Sequence, residues 1–239
     1  MKQIKYLIGL LYLGGLFFVI PACDWAGTRG SGDLKTETRS VSNFHALEID
    51  VPGEIEVRVD SVFKVEVTCE ENIIDDLETI VDDGTLEISF DRRVYSVDDL
   101  KIIVYAPAWD AFELNGSGHI KVRDLITGTK LTLDISGSGD IDVPNAVFGQ
   151  FDLRISGSGN IELDGEGDHL EATLDGSGDI DAVECPVKTA EADLTGSGNI
   201  RLYVTDTLDV EIDGSGNVEY KGEPQVTKNI SGSGKIKKI

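Results

Sequence analysis

Apolar and polar residues alternate through the second half of the chain, and the triplet Gly-Ser-Gly interrupts the alternation at regular intervals. An apolar residue stands two positions before each triplet, and Ile or Val stands two positions after it. In six of the seven copies another apolar residue stands four positions before. Such alternation predicts strands that bury one face. The triplets begin at Gly116, Gly137, Gly157, Gly176, Gly196, Gly214 and Gly232.

The spacing of 18 to 21 residues between triplets predicts a repeat architecture. Every copy has the same turn in the same chain direction, whereas the hairpins of an up-and-down barrel alternate in direction. Equivalent strands are therefore expected to lie parallel, about 4.8 Å apart. The predicted fold class is all-β, a parallel β-helix or β-solenoid with coils of about 20 residues and Gly-Ser-Gly corners. Each buried Ile or Leu in its core contributes roughly 1.5–3 kcal/mol.

The corner residues are interpreted as structural. Glycine permits the bend, and a small Ser permits close stacking of the turns. The next residue is mostly Asn or Asp, which tolerate left-handed conformations. From the second copy to the sixth no two carboxylates are adjacent, so an internal ladder of these side chains would favour hydrogen bonding over ion binding. The series is His119, Asp140, Asn160, Asp179, Asn199, Asn217 and Lys235.

A calcium-binding β-roll is an alternative, because its nonapeptide repeats are also glycine-rich. The period here is about twice nine, and the second half-turn lacks a Gly-Asp motif. Asp142, Glu162 and Asp181 are expected on neighbouring coils and are the best local case for a hard cation. Basic residues at equivalent positions of other copies, such as Lys121 and Arg201, interrupt this series. No metal ligand is assigned.

No catalytic or cofactor-binding residue is assigned. A nucleophile elbow needs Gly-x-Ser-x-Gly with a partner His and acid, and the triplet lacks that spacing. The three histidines, His45, His119 and His169, match no metal or triad pattern and are interpreted as surface or turn residues. A carbohydrate-active β-helix enzyme is an alternative that would require clustered acids, a Lys or Arg and aromatic platforms. Tyr203 and Tyr220, on successive coils, are the nearest approach to an aromatic run.

Residues 1–22 are predicted to be a lipoprotein signal peptide. Lys2 and Lys5 precede an apolar stretch of 15 residues, positions 6–20. This stretch is shorter than the roughly 20 residues that span a bilayer as a helix, so cleavage is the better interpretation.

The sequence Val-Ile-Pro-Ala-Cys, which ends at Cys23, resembles a bacterial lipobox. Cleavage before Cys23 and acylation of Cys23 would anchor the protein to a membrane. An ordinary secretory signal is the alternative. Residues 23–37, rich in Gly, Ser and Thr, are predicted to form a flexible tether. The expected location is the cell envelope, and the membrane face is left open.

The charge excludes one class of partner. Residues 1–22 contain two lysines and no acidic residue, so their removal changes the formal net charge from −23 to −25. Such a surface repels phosphate backbones, and nucleic acid is not expected as a partner. Besides Cys23, the chain has Cys69, which continues an inward apolar series, and Cys185, which precedes a proline. Both are predicted to be free thiols.

Residues 38–107 also alternate and are predicted to be a β section that continues the solenoid or caps its end. Within it, residues 72–79 are a candidate helical turn. Residues 108–239 form the repeat section, and its lysine-rich end is expected to protect the last coil from pairing.

Three segments and the repeated corner carry a family resemblance. Arg-Ser-Val-Ser-Asn-Phe at 39–44, Asp-Asp-Gly-Thr-Leu-Glu-Ile at 82–88, Pro107 and the Gly-Ser-Gly-(Asp/Asn)-Ile copies resemble the head-GIN domain family, also labelled "putative autotransporter adhesin" head. The resemblance covers roughly residues 38–239. It implies a right-handed β-helix in an envelope protein of Gram-negative bacteria, and it brings no catalytic residues.

The resulting hypothesis is an envelope-anchored, non-catalytic lipoprotein that acts as an adhesin-like or interaction module. Its ligand, a protein or a glycan, is unknown, and oligomerisation is left open. A structural envelope protein without a dedicated ligand is the remaining alternative.

Overall fold

The computed structural model describes residues 27–91 and 94–239, and nearly all of its strands belong to one sheet that winds into stacked coils. A 3-10 turn at Ile74–Asp76 is the one helical element of the described residues. The strands before the repeats are β1 (Thr28–Arg29), β2 (Leu34–Arg39), β3 (Ala46–Asp50), β4 (Glu54–Val59), β5 (Lys64–Glu70), β6 (Leu77–Asp82), β7 (Thr85–Phe90), β8 (Val94–Ser96) and β9 (Lys101–Ala106).

The repeat section confirms the predicted solenoid. β13, β14, β15 and β16 each run from one corner to the next, and each pairs in parallel with its neighbours. The corner glycines occupy one column, so that Gly157 pairs with Gly176 and Gly176 with Gly196. The strands are β10 (Ala111–Gly116), β11 (His119–Val122), β12 (Ile126–Gly137), β13 (Asp140–Gly157), β14 (Asn160–Gly176), β15 (Asp179–Gly196), β16 (Asn199–Gly214), β17 (Asn217–Lys221), β18 (Gln225–Gly232) and β19 (Lys235–Lys238).

The apolar positions around the triplets form continuous buried columns. The position two residues before the triplet is buried from Leu114 to Ile212, and the position two residues after it is buried from Ile120 to Val218. In-register parallel pairing places apolar side chains of equivalent positions over one another, so each column excludes water along the coils. The solenoid core is therefore built from the same few sequence positions in every repeat.

The first section is continuous with the solenoid, but its coils are not stacked in chain order. β3 pairs in parallel with β7 on one side and with β10 on the other. β4 likewise lies between β9 and β11. The chain thus passes from β9 across the β3–β4 coil to reach β10. Trp109 lies on this crossover, is fully buried, and donates its indole N–H to the carbonyl oxygen of Arg58 at 3.0 Å.

Antiparallel strands close this end of the solenoid, as the capping hypothesis predicted. β5 pairs antiparallel with β9, β2 with β5, and β6 with β7. Antiparallel neighbours cover the outermost parallel coil, which would otherwise present two unpaired strands.

One prediction in this section was wrong, and another was confirmed only in part. The predicted tether, residues 23–37, contains β1 and the greater part of β2, and β2 extends the sheet through six paired positions with β5. Its alternating Thr and charged residues fit an edge strand, and the hydroxyls of Thr36 and Thr68 lie 2.9 Å apart across the pair. The candidate helical turn at 72–79 is limited to Ile74–Asp76, because Leu77 is drawn into β6 opposite Phe90.

The other end carries a charged edge strand. Within the described residues β18 pairs with β16 and has no strand on its far side. Lys228 takes the position that Val210 fills in the preceding coil, and Ile230 is 38% exposed. A charge at an inward position discourages another strand from pairing there. The protective role of the lysine-rich end, Lys235, Lys237 and Lys238, stays a prediction. None of the helical structure in the described residues is long and apolar enough to cross a membrane.

Candidate functional site: the outward faces of the coils

The residues that follow the triplets form a hydrogen-bonded ladder, as predicted. Asn160 donates from Nδ2 to Oδ1 of Asp140 at 2.7 Å, Asn199 to Asp179 at 2.8 Å, and Asn217 to Oδ1 of Asn199 at 3.1 Å. The prediction that the ladder is internal was wrong, because these side chains are exposed or half-buried. The ladder therefore binds one coil to the next along an outer face.

Left-handed backbone does not explain the preference for Asn and Asp. In the described residues, positive φ outside glycine occurs at Asn43 and Asp83, neither of which follows a triplet. Gly176, the first glycine of its triplet, carries the bend with φ of 143°. From the second copy to the sixth, Asn and Asp instead provide a short side chain, and three pairs of them bond across adjacent coils.

The predicted carboxylate series does line up, and basic residues close it at both ends. Asp142 pairs in register with Glu162, and Glu162 with Asp181. Lys121 Nζ lies 2.8 Å from Asp142 Oδ2, and Arg201 Nη2 lies 2.6 Å from Asp181 Oδ2. Among the described residues no group of three or more His, Cys, Asp or Glu has an arrangement that could hold a metal ion.

A second outward face, before the corners, carries the most buried carboxylate of the repeats. Asp152 is 5% exposed, with Arg154 Nε at 2.9 Å and Lys130 Nζ at 3.1 Å. Burial raises the pKa of Asp152, but hydrogen bonds from Arg154 and Lys130 outweigh it, so its pKa lies below the ordinary value. On the preceding coil the pKa of Asp134 is raised by burial and by the nearby Glu113.

The histidines are separated and serve structural contacts. His45 Nδ1 lies 2.9 Å from Asp110 Oδ1, and His169 Nδ1 lies 2.8 Å from Thr189 Oγ1. His119 begins β11 in the ladder column, opposite Asp140. These positions agree with the predicted surface and turn roles.

The triplet serines and the cysteines also have structural positions. Ser177 is exposed, and its backbone N–H donates to the Gly157 carbonyl at 2.9 Å, a contact that recurs at the other stacked triplets. Cys69 and Cys185 are buried free thiols, as predicted. Cys23 and the signal peptide, residues 1–22, lie outside the described residues.

The grooves on the outer faces are shallow and chemically mixed. One of about 430 Å³ has Phe148 at its floor and Val147, Glu166 and Asp168 among its walls. Tyr203 and Tyr220, the nearest approach to an aromatic run in the sequence, do not stack on each other, since Tyr203 pairs in register with Lys221 and Tyr220 with Leu202. Lys221 Nζ lies 4.6 Å from the Tyr203 ring centre.

The described residues thus define a parallel β-solenoid with a capped end, whose outward columns are long, acidic and hydrogen-bonded from coil to coil. A family model described as "Putative auto-transporter adhesin, head GIN domain" matches residues 43–224. The chain belongs to this head-GIN family.

Solved structures share the fold. A "putative adhesin" from Bacteroides fragilis has a TM-score of 0.82 at 24% identity, over 89% of this chain and 100% of that one. A "putative adhesin" from Parabacteroides merdae has a TM-score of 0.77 at 22% identity, over 89% and 98%. A "putative lipid binding protein" from Parabacteroides distasonis has a TM-score of 0.75 at 26% identity, over 89% and 99%. No curated protein matches the chain.

Proposed function

We propose that the protein is a non-catalytic binding module of the cell envelope, anchored through lipid on Cys23, that recognises a protein or glycan with the outward faces of its coils. One observation carries the proposal: the cysteines of the described residues are buried and two of the histidines hold structural contacts, whereas the outward positions on either side of the corners stack in register from coil to coil. A surface of that kind suits binding distributed over many coils.

The anchor rests on the leader and on chain length. The lipobox-like sequence ends at Cys23, and the described structure begins at residue 27. An extended chain covers at most about 3.6 Å per residue, so no more than about 15 Å separates Cys23 from Gly27. The capped end of the solenoid would then lie beside the membrane, and the coils would project from it.

The adhesin-like role agrees with the family description. The strongly acidic surface favours basic or neutral partners over phosphate-rich ones. The family resemblance brings no catalytic residues to the outward positions described above, so the carbohydrate-active alternative has no constellation to support it.

Cell fractionation tests the anchor, and a product assay tests the absence of catalysis. The Cys23→Ala variant is expected to leave the membrane fraction, while Cys185→Ala, which removes a thiol from the core, is expected to remain there. Persistence of Cys23→Ala in membranes would refute the anchor. New reducing ends or unsaturated products from envelope polysaccharides incubated with the protein would refute the non-catalytic role.

A further inference from the structure

Glu70 places a buried carboxylate oxygen with no hydrogen-bond partner at the capped end. The residue is 4% exposed and ends β5 opposite Leu34 of β2. Its Oε1 accepts the backbone N–H of Asp98 at 2.9 Å, whereas its Oε2 has no partner among the described residues. Burying a carboxylate oxygen without a hydrogen bond destabilises the folded state, so a ligand that donates a hydrogen bond to Oε2 would be stabilised at this site.

A strap, residues 29–33, lies over this carboxylate. Asn72 fastens it at two points, since its Nδ2 donates to the carbonyl of Arg29 at 2.8 Å and its Oδ1 accepts the N–H of Ser31 at 2.7 Å. Between them, Gly30 approaches so closely that a Cβ there would lie 2.5 Å from Glu70 Oε1. A side chain at this position would therefore make the strap or the Glu70 carboxylate move.

The strap and the carboxylate line a groove of about 470 Å³ at the outer surface. The groove is acidic, with Glu70, Asp98 and Asp99, and it has one base, Arg29, whose Nη2 lies 3.5 Å from Asp98 Oδ2. Leu34, 54% exposed, adds an apolar wall. Its size, and the lack of any group of three metal-binding side chains in the described residues, favour an organic cation over a metal ion.

The groove also lies close to Cys23 along the chain, because its first lining residue, Arg29, is six positions after Cys23. If the protein is anchored as proposed above, on which this step rests, the strap begins within about 22 Å of extended chain from the lipid. A surface with a net charge of −25 is repelled by anionic headgroups, so a zwitterionic lipid is the better match.

We propose that this groove binds the headgroup of phosphatidylethanolamine at the membrane surface. The primary ammonium donates hydrogen bonds to Glu70 Oε2, and Arg29 pairs with the phosphate. Oε2 lies beneath the strap, so the ammonium reaches it only when the strap shifts outward. This shift separates β1 from β8, which are paired at two positions. Leu34 faces the apolar part of the lipid. No local pattern in the sequence indicates this site, because Glu70 looks like one more acidic residue of an alternating strand.

Vesicle flotation of the unlipidated chain tests this assignment. A chain that starts at residue 23 with Cys23→Ser retains every described strand, because these lie between Thr28 and Lys238. It is expected to float with vesicles of phosphatidylethanolamine and phosphatidylcholine in equal parts, and not with pure phosphatidylcholine, whose choline has no N–H donor. Glu70→Gln and Arg29→Gln should each weaken flotation on the order of tenfold. Glu191→Gln, which removes one charge from an exposed acid on a distant coil, should float unchanged.

Equal flotation with both vesicle types, no flotation with either, or unchanged flotation of folded Glu70→Gln would overturn the assignment. Binding of soluble phosphoethanolamine without binding of vesicles would also overturn it, since the ligand would then not be a lipid. Circular dichroism checks that each variant is folded. Because the tested chain carries no acyl group, its result is independent of whether Cys23 is the anchor.

Discussion

Asn199 donates two hydrogen bonds to one oxygen of Asp179 on the preceding coil, from Nδ2 at 2.8 Å and from its backbone N–H at 3.0 Å. Both bonds are charge-assisted, and both cross between coils rather than along one. The alternation of Asn and Asp after the triplets therefore acts as a lateral fastening of the solenoid. It also explains why the ladder needs an amide beside each carboxylate.

Replacing Asn199 with Asp should destabilise the fold by about 1–2 kcal/mol at neutral pH, because it removes the amide donor and places two carboxylates on adjacent coils. Chemical denaturation of the variant measures the change. Glu191→Gln, an exposed change elsewhere on the same coils, should remain within about 0.5 kcal/mol of the parent chain. Equal stability of Asn199→Asp and the parent would show that the ladder does not stabilise the fold.

Substitutions at Gly176 and Gly116 distinguish the cost of backbone strain from the cost of crowding at the corner. Their φ angles are 143° and 140°, but an added Cβ at Gly176 would overlap the carbonyl oxygen of Gly157, whereas at Gly116 it meets nothing within 4 Å. Gly116→Ala should cost about 1–2 kcal/mol from strain. Gly176→Ala should cost about 2 kcal/mol more, since the coils must separate. Equal melting temperatures for the two variants would contradict close stacking of the corners.

Neutralising Asp152 and neutralising Asp134 should change the stability of the fold in opposite directions. The lowered pKa of Asp152 means that its ionised form stabilises the fold above pH about 4 and that this contribution is lost as the pH falls through the folded-state pKa. Asp152→Asn should therefore cost about 1–2 kcal/mol at pH 7, a moderate figure because its partners are half-exposed.

The raised pKa of Asp134 means that its ionisation opposes folding once the pH rises above about 4. Asp134→Asn should consequently raise stability at pH 7 and have no effect at pH 3. Denaturation curves of both variants across this pH range provide the measurement. A shift of the same sign for the two at pH 7 would show that the ion pairs on this face are assigned incorrectly.

The buried thiols should be unreactive in the folded protein. Burial raises the pKa of Cys69 to about 11 and that of Cys185 to about 12, so neither forms a thiolate near pH 8. A colorimetric thiol reagent should find no reactive thiol in the folded chain lacking Cys23 and two after unfolding in denaturant. Rapid labelling without denaturant would show that the solenoid core opens.

The repeat could be predicted from sequence because each coil contains its own alternating apolar residues and its own Gly-Ser-Gly triplet. Ile161 and Ile180 differ in neighbours but occupy the same place relative to a triplet, and that place alone puts them in one column. The order of the first coils could not be predicted in this way. Apolar and polar residues alternate in the same way in β3, β7 and β10. The position of β3 between the other two depends on contacts between distant segments, with Trp109 buried at the crossover.

The strand within the predicted tether was missed for a related reason. Gly30 and Gly32 look like linker residues, yet one rests on Glu70 and the other lies against Glu71. These contacts join residues about 40 positions apart and leave no local pattern. The Asn ladder was predicted as a set of hydrogen-bonding partners but was placed inside, although every residue of its column, from His119 to Lys235, is polar.

Intact mass spectrometry of the protein extracted from membranes tests the envelope-anchored role most directly. We expect a chain that begins at Cys23 and carries the mass of a diacylglyceryl group, with or without an amide-linked acyl chain. A chain that begins at another residue, or an unmodified Cys23, would contradict it.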